Sequence, residues 1–497
     1  FVNKRIKYTH GYGYTAAAVS DFTEQGLPNL LVKDIPPVAS ALELAVTRPE
    51  IYYGELTTEP VIVNTQEAEF DYPSGDNNVY TRYQGEGGVR LSNFWRKLLF
   101  GWKFDGSVLL FSSYPTTESR VLFHRQISKR VERLAPFLTF DADPYIVAHE
   151  GRLVWIIDGY TTSDYYPYSQ AFDSRGEGRR TIQSLDGVNY VRNSVKAVVD
   201  AYSGSVDFYI FEDDDPIIQS WHKVFPGLLK PKADMPQGLR DHVRYPNDFL
   251  LVQGLIYSQY HMSDPEVFYN QEDLWVRATE KHYKKIVPVE PYYVMWELPG
   301  SDRAEFVVIL PFTPKNKQVL IGWIAGLSDG DNYGRLLAYN FPKDKRMLGP
   351  QQVETKIDQD PFLSGQLTLW DQQGSEVIRG NVLAIPVDNS LLYVEPIYLR
   401  AETAAYPELR LVAVMYGDQL SYATTFDKAL EGLVAVNGRS VVGVQSQAAI
   451  VLQAAESFKG YLSAQGKGEF QQAAEHLQAL SDNLGQLVEL ALREDDQ

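Results

Sequence analysis

Residues 145–162 read YIVAHEGRLVWIIDGYTT. Tyr145-Ile146-Val147-Ala148 is a run of strand-forming residues, Glu150-Gly151 is a turn signal, and Leu153-Val154-Trp155-Ile156-Ile157 is a second run. Two such runs around a glycine-bearing turn specify a β-hairpin. A second hairpin follows: Ser194 to Tyr202, a Ser203-Gly204 turn, then Val206 to Phe211, where Val206, Phe208 and Ile210 alternate with polar residues. The fold is therefore built around antiparallel strands.

Helices are expected between and after these hairpins. Val121 to Leu134 carries a partly apolar stripe, with Thr116 and Thr117 ahead of it as caps and Pro136 behind it. Pro216 suits a first helical position before Ile217 to Trp221, and Phe249 to Met262 reads as another helix. After the charged, proline-bearing stretch Thr279 to Pro291 the pattern turns strand-like, at Tyr292–Leu298, Phe306–Leu310, Leu336–Asn340, Val382–Val387, Leu391–Val394 and Leu409–Met415. Gly322 to Leu327 fits helix and strand equally. Near the end, Phe470, Ala473, Leu477, Leu480, Leu484, Leu487 and Ala491 step by three and four, and Val451, Ala454, Phe458 and Leu462 do the same. With Ser463 to Gly468 between them, they predict an antiparallel αα-hairpin, packed on its own chain or used to dimerise or dock a partner.

The expected class is α+β and β-rich, with mixed and antiparallel sheets, interspersed helices and a C-terminal helical hairpin. Three units are expected: an α+β domain over 1–285, a β-rich domain packed on it over 286–435, and the hairpin over 440–497. A length of 497 residues fits two or three domains, and 44% hydrophobic with 22% charged residues fits a folded globular chain.

Composition narrows the chemistry. A net charge of −18 argues against nucleic-acid binding, which needs cations to displace counterions, and against docking through a polybasic face on anionic lipid. The absence of cysteine removes disulfides, thiolate nucleophiles and cysteine-type zinc sites. The 32 tyrosines suit half-buried strand positions, with a minority available to line a binding groove. No apolar run reaches the roughly 20 residues of a membrane helix, and no signal peptide leads the chain. It opens at Phe1 without methionine, so it reads as a piece of something longer.

Local motifs give little. Gly11-Tyr12-Gly13-Tyr14-Thr15-Ala16 fits a dinucleotide fingerprint, but no apolar strand precedes it and Gly26 and Pro28 cut the helix that should follow. No P-loop and no G-x-S-x-G elbow occur. His149-Glu150 opens like a zinc protease motif, but Leu153 stands where the second histidine belongs. Calcium is the cofactor the chain would most readily hold. Asp329, Asp331 and Asn332 in the loop Asp329 to Gly334 start like an EF-hand, although Tyr333 and Asn340 occupy later ligand positions. The plain alternative is a solvated turn. Glu212 to Asp215 and Asp141-Ala142-Asp143 are further acidic clusters.

Several segments together resemble one family. They are YTHGYG at 8–13, VKDIPP at 32–37, RPEIYYGE at 48–55, FDYP at 70–73, APFL at 135–138 and WIIDGYTT at 155–162, followed by FPGL at 225–228, Tyr257 to Asp264, LPFTP at 310–314 and IDQDP at 357–361. From about Tyr8 to Glu431 the chain resembles uncharacterised protein family 0182. The resemblance implies a bacterial protein with several N-terminal transmembrane helices, absent from this chain, and one large domain on the extracytoplasmic side of the cell membrane. It implies no catalytic residue. Three functions are open on this reading: a tethered domain that binds a protein or envelope component, an envelope hydrolase acting on a sugar or peptide polymer, and an accessory domain of a transporter. The hydrolase would need a cleft where carboxylates such as Asp141, Asp143, Asp158 and Asp164 converge.

Overall fold

The computed structural model describes residues 2–437 except 24–25, 105–109, 175–179, 283–284, 299–302, 343–346, 372–373, 388–389 and 402–405, and only isolated positions further on. The hairpin expected over 440–497 lies outside the described residues. Phe1–Leu430 group as one compact unit and Glu431–Gln497 group as another.

The fold is α+β and rich in strand. Its first sheet contains the hairpin of residues 145–162. Strands β1 (Thr139–Phe140) and β2 (Tyr145–His149) both pair with β3 (Arg152–Ser163). Next to β3 lie β4 (Tyr190–Asp200) and β5 (Val206–Ile210), all antiparallel, and β6 (Leu229–Pro231) adds a parallel edge. Both hairpins read from sequence are present. Residues alternate faces along a strand. Leu153, Trp155 and Ile157 enter one core with Val195, Ala197 and Val199, while Val154 and Ile156 enter another with Val198 and Tyr209. Both faces are covered, which is why this run reads as continuously apolar.

The second sheet has the order β7 (Trp275–Arg277), β9 (Ala304–Pro314), β10 (Gly322–Leu327) and β11 (Leu336–Asn340), with β8 (Tyr292–Glu297) also on β9. Gly322 to Leu327 is thus a strand, buried along its whole length. The third sheet has the order β12 (Ser375–Arg379), β14 (Ser390–Ala401), β15 (Glu408–Tyr416) and β16 (Gln419–Ala423), with β13 (Leu383–Val387) on β14. One face of the second sheet, through Val307, Ile309 and Trp323, shares a core with Tyr393, Ile397 and Ala413 of the third. Between Thr279 and Pro291 lies a small hairpin, Thr279–His282 against Lys285–Pro288.

Among the helices, α1 (Phe94–Lys103) lies near the start of the chain, where no helix was expected. The helix expected over Val121–Leu134 is split. Arg120–Leu122 is a strand pairing with Val61–Val63, and α2 begins only at Ile127 and runs to Leu134. His124, with φ of 51°, breaks the path between them. Helix α3 (Pro216–Val224) starts at the expected proline. Helix α4 (Asn247–Tyr260) covers the other face of the second sheet, putting Leu250 and Leu251 in a core with Leu310, Phe312 and Ile324. Among the described residues no helix is long and apolar enough to cross a membrane.

Candidate functional site

Segments that carry the family resemblance meet in one buried knot. Thr9, His10 and Tyr52 converge on Glu69, whose carboxylate is buried, and Asp71 joins through His10. Glu69 Oε2 accepts from the Thr9 hydroxyl at 2.6 Å and the Tyr52 hydroxyl at 2.8 Å, and Oε1 accepts from the backbone N–H of Asn64 and Tyr83. The His10 ring lies 2.9 Å from Thr9 Oγ1 and 3.2 Å from Asp71 Oδ1. This superficially matches a hydroxyl–histidine–carboxylate array. Its chemistry differs, because the Thr9 proton is committed to Glu69 and the hydroxyl has no open surface. Arg125 completes the knot by donating to the carbonyls of Thr9, Tyr52 and Glu59, at 2.5, 2.7 and 2.9 Å. Burial draws its guanidinium down to about 10. Every strong group here is satisfied within the chain, so the knot fastens the segments together.

The four carboxylates named for hydrolysis do not line one cleft. Asp141 and Asp158 are buried, while Asp143 and Asp164 are exposed. Asp141 accepts the Tyr160 hydroxyl at 2.5 Å, and burial, followed by the charges of Asp248 and Asp158, raises its pKa to about 7. Asp158 forms an ion pair with Lys196 and also accepts from Asn193 at 3.1 Å. The Lys196 ammonium stands 5.4 Å from the Phe211 ring and 5.2 Å from Tyr333, and burial lowers its pKa. Asp143 pairs with Arg244 at the surface.

The loop considered for calcium delivers Tyr333 to this cluster. Gly330–Asn332 forms a short 3₁₀ turn. Asp329 Oδ2 accepts the Phe306 N–H at 2.9 Å, and Asn332 accepts from Arg335 and donates to Glu305, each at 2.7 Å. Asp331 faces solvent. Among the described residues no three His, Asp or Glu side chains are grouped to hold a metal ion. Of the cluster Glu212 to Asp215, Asp215 caps α3 by accepting the Ile217 N–H, and also accepts the hydroxyls of Thr161, Ser194 and Tyr190.

The feature best suited to an external ligand is a groove of about 550 Å³ between the loop after β3 and helix α4. Asn189 shapes the loop wall. Its side chain accepts the Tyr166 N–H and donates to the carbonyls of Tyr166 and Ser169, at 2.9, 2.9 and 3.3 Å. Tyr166 stacks on Tyr190 with ring centres 5.6 Å apart. Burial raises the Tyr190 phenol to about 12, and its hydroxyl donates to Asp215. The opposite wall is one face of α4, with Val252, Ile256 and Tyr260 at four-residue steps and Gln253 beside them. The Tyr260 hydroxyl reaches across to Gln170 at 2.8 Å. Tyr168 stands on the rim, fully exposed. Among the described residues the lining is made of aromatic faces, aliphatic side chains and amides, with no Lys, Arg, Asp or Glu. Sequence reading anticipated tyrosines in a groove without locating them. The signal was Tyr165-Tyr166-Pro167-Tyr168 directly after the hairpin.

Comparison with known proteins gives a family but no chemistry. A family model described as Uncharacterised protein family (UPF0182) matches residues 1–370. The chain is 50% identical over 431 residues to a UPF0182 protein of Pelotomaculum thermopropionicum, covering 87% of this chain and 46% of that protein. It is 44% identical over 498 residues to one of Geobacter sulfurreducens, covering 98% and 54%. A third, from Methanospirillum hungatei, is 48% identical over 432 residues, covering 87% and 47%. The chain spans about half the length of these relatives. No solved structure matches.

Proposed function

The chain belongs to the uncharacterised protein family UPF0182, and from that premise we propose that it is the water-facing binding domain of a membrane protein, holding a neutral glycan strand in the tyrosine groove. The composition of the groove carries this reading: tyrosine faces and amides, with no charged residue among the described residues of its lining. A sugar ring presents an apolar C–H face that stacks on an aromatic ring, and hydroxyls that match amide donors and acceptors. Tyr166, Tyr168, Tyr190 and Tyr260 supply the faces, and Gln170 and Gln253 supply the amides. Tyrosine suits the task because it presents a large contact area with little rotamer entropy to lose. A nucleic acid or phosphorylated ligand would call for cations instead.

The volume lies within the usual range for small-ligand sites and suits a few sugar rings. With no carboxylate among the groove's described residues, the reading is binding and not cleavage. Tethering to a membrane, on the extracytoplasmic side, is supported by the family resemblance and by the length of the relatives, about half of which lies outside the match.

The test is retention of the chain on immobilised neutral polysaccharides, with a polyanion and a proline-rich peptide as comparators. Retention by a neutral glycan and elution by its free oligomers are expected. Retention by the peptide alone would replace the glycan with an extended protein segment. Protease added to intact cells of a native host should cut this region of the full-length protein.

A further inference from the structure

Helix α1 carries two apolar faces, and among the described residues only one is covered. Its sequence is FWRKLLFGWK, capped by Asn93, whose side chain accepts the Arg96 N–H at 2.9 Å. Successive positions turn by about 100°. Phe100 and Phe104 fall on the inner side, where both rings lie against Phe123 beside Ile6 and Val121. Gly101 lets Leu110 close on the helix, since a Cβ there would stand 2.8 Å from Leu110 Cγ. Trp95, Leu99 and Trp102, at steps of four and three, fall on the outer side and are 70%, 67% and 88% exposed. Phe94 is exposed beside Trp95, with ring centres 5.9 Å apart, and Phe111 is also exposed.

Charge identifies what covers this face. Between Gly87 and Phe104 the chain holds Arg90, Arg96, Lys97 and Lys103 and no acidic residue, within a protein of net charge −18. Lys4, Arg5 and Lys7 join them, because Arg5 donates to the Phe104 carbonyl at 2.8 Å. Glu59 answers Arg5 and Glu118 answers Arg90, both at the surface. By the same rotation Arg96 and Lys103 fall together along one edge of the tryptophan stripe, where Lys103 Nζ also stands 5.6 Å from the Phe123 ring. Whole-chain charge argued against an anionic surface, but that sum hides a locally basic patch. A short helix with Trp and Leu outward and Arg and Lys at its margins has the make-up of a helix lying in the headgroup layer of a bilayer. At ten residues it is about 15 Å long, too short to span one.

The geometry points to α1 as an in-plane docking helix that lays Trp95, Leu99 and Trp102 into an anionic lipid surface. This goes beyond the glycan reading and does not depend on the groove. The test is co-sedimentation of the 497-residue chain with vesicles of phosphatidylcholine alone and of equal parts phosphatidylcholine and phosphatidylglycerol, with brominated lipid as a tryptophan quencher. The mixed vesicles are expected to pellet the chain and quench its emission. The variant W95S/L99S/W102S should bind roughly a hundred-fold more weakly with unchanged circular dichroism and unfolding midpoint, since these side chains already face water. R96E/K103E should abolish the preference for the mixed vesicles. Failure of the wild type to pellet, or equal binding by the triple variant, overturns the inference. So does a wild-type dimer in light scattering that the triple variant dissolves without any vesicle binding, which would give the face to a second copy.

Discussion

Asp158 and Lys196 stand directly opposite each other across the β3–β4 ladder, and their ion pair lies inside the protein, with side chains 4% and 0% exposed. A buried pair contributes little net stability compared with a well-packed apolar pair, but removing one partner strands the other charge. K196M is expected to lower the unfolding free energy by about 3–5 kcal/mol in urea titrations, because Asp158 loses its cation. D158L/K196M should recover most of that loss. A neutral K196M would show that the pair is not enclosed as described.

Stability should fall as pH rises through the neutral range. Glu354 on α5 (Pro350–Gln359) is buried and accepts the Lys281 N–H with both oxygens at 2.8 Å. Burial, then the Glu395 charge, raises its pKa to about 8, while Lys281, Asp358 and the Arg379–Glu395 pair complete its surroundings. Burial also lifts Glu280 and Asp141 to about 7 each. Unfolded, these carboxyls titrate near pH 4. The folded state therefore holds extra protons between about pH 4 and pH 8, so its stability from these groups is full at the acid end, is lost across that window and then levels off. The urea midpoint should drop steadily from about pH 5 to pH 8, and E354Q should remove about 1–2 kcal/mol of the decline. A midpoint that rises over this range contradicts the buried acids.

Helix α4 approaches the second sheet through a glycine. A Cβ on Gly254 would stand 2.5 Å from Leu310 Cδ2, 3.0 Å from Phe312 Cζ and 3.2 Å from Ile324 Cδ1. G254A should cost about 1–3 kcal/mol through overpacking, despite alanine's better helix propensity, as read by thermal or urea unfolding. Because Val252, Ile256 and Tyr260 on the same helix form a groove wall, the variant should also weaken any groove ligand. A stabilised G254A would mean a looser helix–sheet contact than this one.

The α+β class was legible because its strands lie next to each other in sequence. The Glu150-Gly151 turn joins β2 to β3 with the register Ala148 to Leu153, a purely local event. The segment at Val121-Leu122 reads as helix because its strand partner, Val61–Val63, lies far away in the chain. Its apolar residues fit a helical stripe equally well until His124 turns the backbone. The Asp158–Lys196 pair needs the β3–β4 register, which apolar runs alone leave open. The groove shows the same division: Tyr166 and Tyr168 stand out as a cluster, but Tyr260, which meets them through Gln170, has no local mark. The outward stripe of α1 is not legible in the sequence because exposure is a tertiary property.

The measurement that bears most directly on the glycan reading is calorimetric titration of the chain, Y168A and Y260A with neutral oligosaccharides, including oligomers of N-acetylglucosamine. Stacking predicts saturable binding by the wild type and a loss of about ten-fold or more in affinity for each variant, at unchanged unfolding midpoints. Equal affinity in all three proteins, or no heat of binding with any neutral oligomer, would contradict a glycan site in this groove.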